Sequence, residues 1–363
     1  IIAPAKGREF LRACNAIGGE YISIAPGSGQ NINIMEIRKK DERKTMEIDG
    51  VSAPIKSILA AKIQSVETFF SLILPDMSYE EKQVLDDALV NTYASFGITS
   101  DNDSLEYPER PGFYKKMPVL KDLHNELEKV GDEGRRLYRV LTRYVTGSSA
   151  SFSQPTNVNL DNKFVVMDMD DLTDEMKPVG MYIALDYVWD KAREDITARK
   201  AIFMDELWKL VGPSGSPEAA KFALNVFKLI RGYGGAGICA TQDLNDFFSV
   251  ANGEFGRGIT NNSKIKVVMG TEATEIDKLA DALDLTDIES QQVMGMHRGN
   301  GLLMANSNHV FVQVQASHTE HLLITTSRQD LEQYAGEIKA LTAAINEEDG
   351  KKSHEVNIGE EGS

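Results

Sequence analysis

Apolar positions change their period twice along this chain. At the start, two short apolar strings, Ile1-Ile2 and Tyr21 to Ala25, bracket a stretch from Gly7 to Ala16 with helical spacing that stops at Gly18-Gly19. Unbroken apolar runs read as buried strands, and three- and four-residue spacing reads as one face of a helix. The segment to about Ile37 therefore predicts a β-α-β fragment. Its first residues already read as strand, so the chain is expected to begin inside a domain.

From Met46 to Gly147 the spacing becomes helical. Pro54 suits a first helical position, and Ile55, Ile58, Leu59, Ile63, Val66, Phe69, Phe70 and Ile73 then recur up to Pro75. Ser78 and Glu81 have the spacing of a capping box ahead of Val84, Leu85, Ala88, Leu89 and Tyr93. Leu120, Leu123, Leu127 and Val130 form another stripe, and Leu137, Val140, Leu141, Tyr144 and Val145 a last one. Stripes of this width predict faces packed on other helices. The region reads as an inserted all-α subdomain over residues 47–149.

After Asn157 short apolar runs and helical stretches alternate. Strands are predicted at Phe164–Asp168, Ala201–Asp205, Gly237–Thr241, Ile265–Gly270, Gly301–Ala305 and His309–Gln315. Helices are predicted at Val179 to Arg193, Pro217 to Arg231 and Glu272 to Leu283. Strands alternating with helices imply βαβ units, an α/β fold and a mainly parallel sheet. The short Asn-Ser-Asn turn at 306–308 predicts that the sheet finishes in an antiparallel hairpin. The division expected is a first core piece at 1–46, the insert, the rest of the core at 150–327, and a C-terminal helix with a mobile acidic tail at 328–363. That helix is predicted over Gln329 to Asn346, and no internal repeat is visible.

Composition narrows the chemistry. The 363 residues are 42% apolar, enough for an ordinary buried core. A net charge of −16 argues against a surface given over to nucleic acid, although a basic pore within an acidic particle stays open. Two cysteines, Cys14 and Cys239, lie far apart in apolar surroundings and read as small core residues, which favours a reducing compartment. No run approaches the roughly 18 apolar residues of a membrane span.

Residues 200–208, KAIFMDELW, carry the strongest chemical signal. Ala201 to Met204 run directly into Asp205-Glu206, and ligands of open α/β sheets gather at the carboxyl ends of strands. An aspartate there can hold Mg2+ through water while the adjacent glutamate polarises a nucleophilic water, the Walker B arrangement of nucleoside-triphosphate hydrolases. Two solvated acids at a strand end are the plain alternative. The next predicted strand, GICAT, ends at Thr241-Gln242-Asp243, 37 positions after Asp205 for Gln242. If the two strands are neighbours, the Gln242 amide lies level with the acid pair and can sense the γ-phosphate or the attacking water; otherwise it is a polar strand cap. Arg231, in RGYGGAG, is carried at a flexible glycine-rich turn and suits an arginine finger, or simply caps its helix. Arg298, in HRGNG, is a second arginine candidate, for contact with the nucleotide.

No G-x-x-x-x-G-K-[ST] occurs: APGSGQ at 25–30 and GPSGSPEAAK at 212–221 both lack it. A phosphate-binding loop is therefore expected upstream of Ile1. Scattered histidines without a cysteine pair, and the absence of G-x-S-x-G, leave zinc and serine-nucleophile chemistry without support.

FMDELWKL followed by FKLIRGYGGAGICATQDLNDFF resembles the large ATPases of type IV secretion and conjugative transfer, members of the FtsK and HerA superfamily. IIAPAKGREFLRACNAIGGEYISIAPGSGQNINIMEIR, GSSASFSQPTNV, FVVMDMDDL and GMHRGNGLLM extend that resemblance, closest to conjugation proteins of Gram-positive bacteria. It implies a RecA-like P-loop NTPase core, ATP and Mg2+, and assembly with itself as hexamers. It further implies docking on channel subunits and a coupling ATPase, at the cytoplasmic face of the cell membrane and without a span of its own. By the same resemblance Asp205 is the Mg2+ partner, Glu206 the catalytic carboxylate, Arg231 the arginine before the sensor strand, and Gln242 the sensor. Two alternatives stand beside a channel-powering ATPase: a translocase that itself pumps DNA, and a scaffold that has lost nucleotide binding.

Overall fold

A computed structural model of the chain describes residues 1–3, 9–38, 57–147, 150–212, 216–242, 247–248 and 253–345. The expected start of the insert at residue 47, with the helix start at Pro54, and the acidic tail lie outside the described residues.

Among the described residues five strands form a wholly parallel sheet. They are β1 (Ile2–Ala3), β2 (Glu20–Ser23), β5 (Val165–Asp168), β6 (Lys200–Met204) and β7 (Gly235–Cys239), in the order β2-β5-β1-β6-β7. Ile2, Ile22 and Met204 are fully buried, and Ile202 nearly so, as expected of apolar runs covered by helices. Helix α1 (Leu11–Ala16) packs on β2 and β5, and α6 (Lys177–Glu194) packs on β1. Pro178 sits in the first turn of α6, where a missing N–H costs nothing, and Met181 to Leu185 are fully buried. This helix lies between the sheet and the inserted helices, so it is apolar on nearly every side.

The insert consists of α2 (Ile58–Ile73), α3 (Tyr79–Ser95), α4 (Leu120–Val130) and α5 (Arg135–Val145). The capping box at Ser78 and Glu81 forms as the spacing predicts. The stripe residues Leu59, Ile63, Val66, Phe69 and Phe70 bury against α6 and helix α8 (Pro217–Leu229), in one core with the sheet. One element departs from the all-α expectation: β3 (Glu106–Tyr107) and β4 (Arg110–Tyr114) form an antiparallel hairpin. Its strands are short, exposed and interrupted by proline and glycine, so they lack the alternation that marks a strand in sequence.

The predicted final hairpin forms, but not on the parallel sheet. Strand β8 (Ile265–Met269) pairs antiparallel with β9 (Asn300–Ala305), which pairs with β10 (Asn308–Gln313), in a separate three-stranded sheet. Val268, Leu302 and Met304 pack with Ile276, Leu279 and Val293 as a second, smaller core. The expected C-terminal helix is interrupted at Tyr334, into Arg328–Gln333 and 335–345, and an additional helix, His318–Ile324, precedes it; His318–Ile324 and Arg328–Gln333 are each opened by a serine cap.

Candidate functional site

Strand β6 ends at Met204, paired in register with Cys239 of β7. The Asp205 N–H donates to the Ile2 carbonyl at 3.0 Å and the Ala240 N–H to the Met204 carbonyl at 2.9 Å, so the ladder continues to the level of the acid pair. Glu206 then adopts φ 51°, a left-handed conformation that costs a non-glycine residue about 1–2 kcal/mol. Strain of this kind collects at functional sites. The turn closes through the Lys209 N–H on the Glu206 carbonyl at 2.9 Å and leads into α7 (Trp208–Val211).

The Glu206 side chain is buried, with 8% of the residue exposed, and both carboxylate oxygens accept hydrogen bonds. Gln242 Nε2 donates to Oε1 and the Trp208 indole Nε1 to Oε2. The structure thus brings Glu206 and Gln242 together across the β6–β7 ladder. The Asp205 carboxylate accepts the Glu206 N–H at 3.0 Å. Burial raises the Asp205 pKa above the usual aspartate value, and the Glu206 N–H offsets only part of that rise.

Further acids gather at the same edge. Glu9 has a raised pKa, from burial first and then from the negative charges of Asp205, Asp170 and Glu206. Asp168 ends β5 level with Ala3 of β1; it is 2% exposed, and its Oδ2 has no hydrogen-bond partner among the described residues. Burial raises its pKa as well. Hard carboxylate oxygens whose ionised forms are held at a cost suit a divalent cation such as Mg2+. Among the described residues no group of three or more acids, histidines or cysteines forms a complete ligand cage. A single carboxylate such as Asp205 could hold Mg2+ only with water and ligand oxygens completing the shell.

Arg231 is placed elsewhere. It sits in a 3-10 turn, Ile230–Tyr233, just before β7, whose first residue Gly235 pairs with Lys200. That is the amino end of the sheet, roughly 16 Å along β6 from Asp205, beyond the reach of one side chain. The glycines around it are not a flexible carrier. Gly234 takes φ 73°, and a Cβ on Gly237 would stand 2.5 Å from the Phe227 ring, so they serve a left-handed turn and close packing of α8 on β7. Arg298 is exposed before β9, in the smaller sheet, and is not brought to the acid pair. Cys14 is buried as expected, whereas Cys239 is only half-buried on the edge strand.

Sequence reasoning missed Trp208, Glu9 and Asp168. Trp208 stood in the motif, but its contact depends on the left-handed turn at Glu206, which no spacing rule signals. Asp168 ended a predicted strand and so carried the same signal as Asp205 in weaker form.

A parallel sheet bearing an acid pair at the carboxyl end of one strand, with an amide from its neighbour laid on it, defines an α/β domain of the P-loop nucleoside-triphosphatase class. The TraG P-loop domain family matches residues 80–359, and the chain belongs to that family. The structure of VirB4 of Thermoanaerobacter pseudethanolicus is similar, with a TM-score of 0.76 and 28% identity over 88% of this chain and 82% of that one. The plasmid coupling protein TrwB in complex with ADP and Mg2+ shares the fold at a TM-score of 0.52 and 10% identity, over 87% and 84% of the two chains. No curated protein sequence matches the chain.

Proposed function

We propose that this chain is the nucleotide-hydrolysing domain of a type IV secretion or conjugation ATPase. The observation that carries the reading is the Gln242 amide on the Glu206 carboxylate beside Asp205. The likeness to VirB4 and membership of the TraG P-loop domain family support it, and TrwB with ADP and Mg2+ supplies a nucleotide complex on the same fold. Asp205 would hold Mg2+ through water, and the ion would neutralise charge on the phosphates when bound. Glu206 takes a proton from the attacking water, and Gln242 links its orientation to the end of β7.

The phosphate-gripping loop is proposed to come from a strand added to β7. Among the described residues β7 is the edge of the parallel sheet, with Ala236 and Ile238 exposed on one face. An edge of this kind pairs readily with a further strand. A loop following that strand would emerge at the carboxyl end, beside Glu206.

Arg231 acts in trans on this reading, because it lies at the opposite end of the strand from the acids of its own chain. A head-to-tail contact between copies joins the two ends and closes into a ring, for which a hexamer is proposed. No helix among the described residues is long and apolar enough to cross a membrane. From its likeness to a type IV secretion ATPase, the domain is proposed to act as a peripheral motor on the channel subunits.

Glu206→Gln in the protein as encoded is expected to lower ATP turnover by roughly 10²–10⁴-fold while nucleotide binding persists. Undiminished hydrolysis would sink the proposal. Mixing Glu206→Gln with Arg231→Ala subunits is expected to recover part of the turnover, since some interfaces then carry both groups; no recovery counts against action in trans.

A further inference from the structure

Glu206 is held from two sides by different means. Gln242 reaches Oε1 from the next strand, whereas Trp208 reaches Oε2 from within the same turn, two residues along. The Trp208 ring is itself fixed. It packs half-buried against the main core, and the Lys209 ammonium lies 4.5 Å from the ring centre. A cation over the face draws electron density from the ring, which strengthens the indole N–H as a donor. The Lys209 N–H on the Glu206 carbonyl binds the same residues into one rigid turn.

A glutamate has three rotatable bonds, and a carboxylate that activates water must keep one lone pair aimed at it. Hydrogen bonds from a rigid donor reduce that freedom and hold the geometry within the narrow range that proton transfer demands. An indole N–H is a donor only and cannot itself accept the proton. It can therefore orient the carboxylate without competing for its task.

We infer that Trp208 is a positioning residue, its indole N–H setting the orientation of the Glu206 carboxylate. This rests on Glu206 being the water-activating group.

Two measurements test it. The chain holds two tryptophans, Trp189 and Trp208, so Trp189→Phe assigns the indole 1H–15N resonances. Glu206→Gln is expected to shift the Trp208 indole resonance and leave that of Trp189 in place; this readout needs no nucleotide and leaves Trp208 intact. In the protein as encoded, Trp208→Phe keeps an aromatic ring and removes the donor. It is expected to lower kcat about tenfold with KM changed less than about twofold, and to add nothing to Glu206→Gln. An unmoved Trp208 resonance overturns the inference. So does a Trp208→Phe enzyme with full kcat while Glu206→Gln is inactive, and that result leaves the proposed function standing. Full activity in Glu206→Gln refutes the proposed function itself.

Discussion

Two groups of acids in this molecule, one under the inserted helices and one at the carboxyl edge of the sheet, are treated in opposite ways. Under the insert, Asp186 of α6 is almost fully buried, yet Lys62 Nζ lies 3.0 Å away, Arg38 Nη1 3.6 Å, and the Ser65 hydroxyl donates to it at 2.7 Å. Arg38 also pairs with Asp190 at 2.9 Å and lies 4.2 Å from the centre of the Tyr187 ring. Burial alone pushes Asp186 up, but the two cations and the hydroxyl outweigh it and hold its pKa below the usual aspartate value. At the carboxyl edge of the sheet, buried Asp168, half-buried Asp205 and the more exposed Glu9 have pKa values raised chiefly by desolvation, which hydrogen-bond donors to Asp168 and Asp205 offset only in part. A balanced buried acid serves architecture, here fastening α2 and the segment after β2 onto α6. An unbalanced set stores unfavourable charge at the edge where, on the proposed function, a cation and a phosphate chain would bind.

The largest effect that could break this contrast is on the balanced side. Lys62→Met is expected to destabilise the fold by about 3–5 kcal/mol, because Asp186 is left buried without its nearest cation. Joint replacement of Lys62 and Asp186 by apolar residues should recover most of that loss in denaturant unfolding. If Lys62→Met is as stable as the parent, the cluster is not a fastening.

A smaller effect concerns the strained turn on the site side. Glu206→Gly is expected to exceed Glu206→Ala in stability by about 1 kcal/mol, since glycine meets no Cβ penalty at φ 51°. Equal stabilities would mean that the turn relaxes once the carboxylate is gone.

The smallest effect lies at Asp168. A carboxyl with a raised pKa in the folded state binds more protons folded than unfolded, so its contribution to stability falls as pH rises from the unfolded value through the folded one. Asp186, with its pKa lowered, acts with the opposite sign: its contribution is present above the unfolded value and is lost as pH falls through the folded one. Asp168→Asn keeps an acceptor for the Asp170 N–H and removes the buried charge. It should therefore stabilise the fold slightly at neutral pH and flatten the acid side of the stability profile, measured by thermal melts from pH 4 to 8. A loss of stability at neutral pH would show that the Asp168 charge is compensated.

Much of the architecture was legible from periodicity. The apolar run ending in Asp205-Glu206, the next run ending near Gln242, and the stripes of α2, α3, α4 and α5 all fall where local patterning placed them. The serine and glutamate of the α3 cap read directly as a helix start. Other features were hidden for identifiable reasons. Lys62 lies among apolar stripe residues with its acid 124 positions away, so no window contains both. The glycines of RGYGGAG suggested flexibility, but three of them answer to neighbours a sequence does not show: Ile196, Ile230 and Phe227. Departure of β8 into a second sheet depends on which edge captures an apolar strand, and the β-rich composition of that strand suits either.

The sequence by itself determined most of the strands and helices, though not the β3–β4 hairpin or the break in the C-terminal helix, and put the acid pair at a strand's carboxyl end. Burial imposes local periods of two or 3.6 residues, and each segment carries its own period. Only the tertiary structure decided that Gln242 and Trp208 meet on opposite oxygens of Glu206, that Arg231 lies at the far end of the sheet, and that Asp186 meets two cations while Asp168 Oδ2 has no partner among the described residues. Those facts follow from strand order, register and one left-handed turn, which belong to the path of the whole chain.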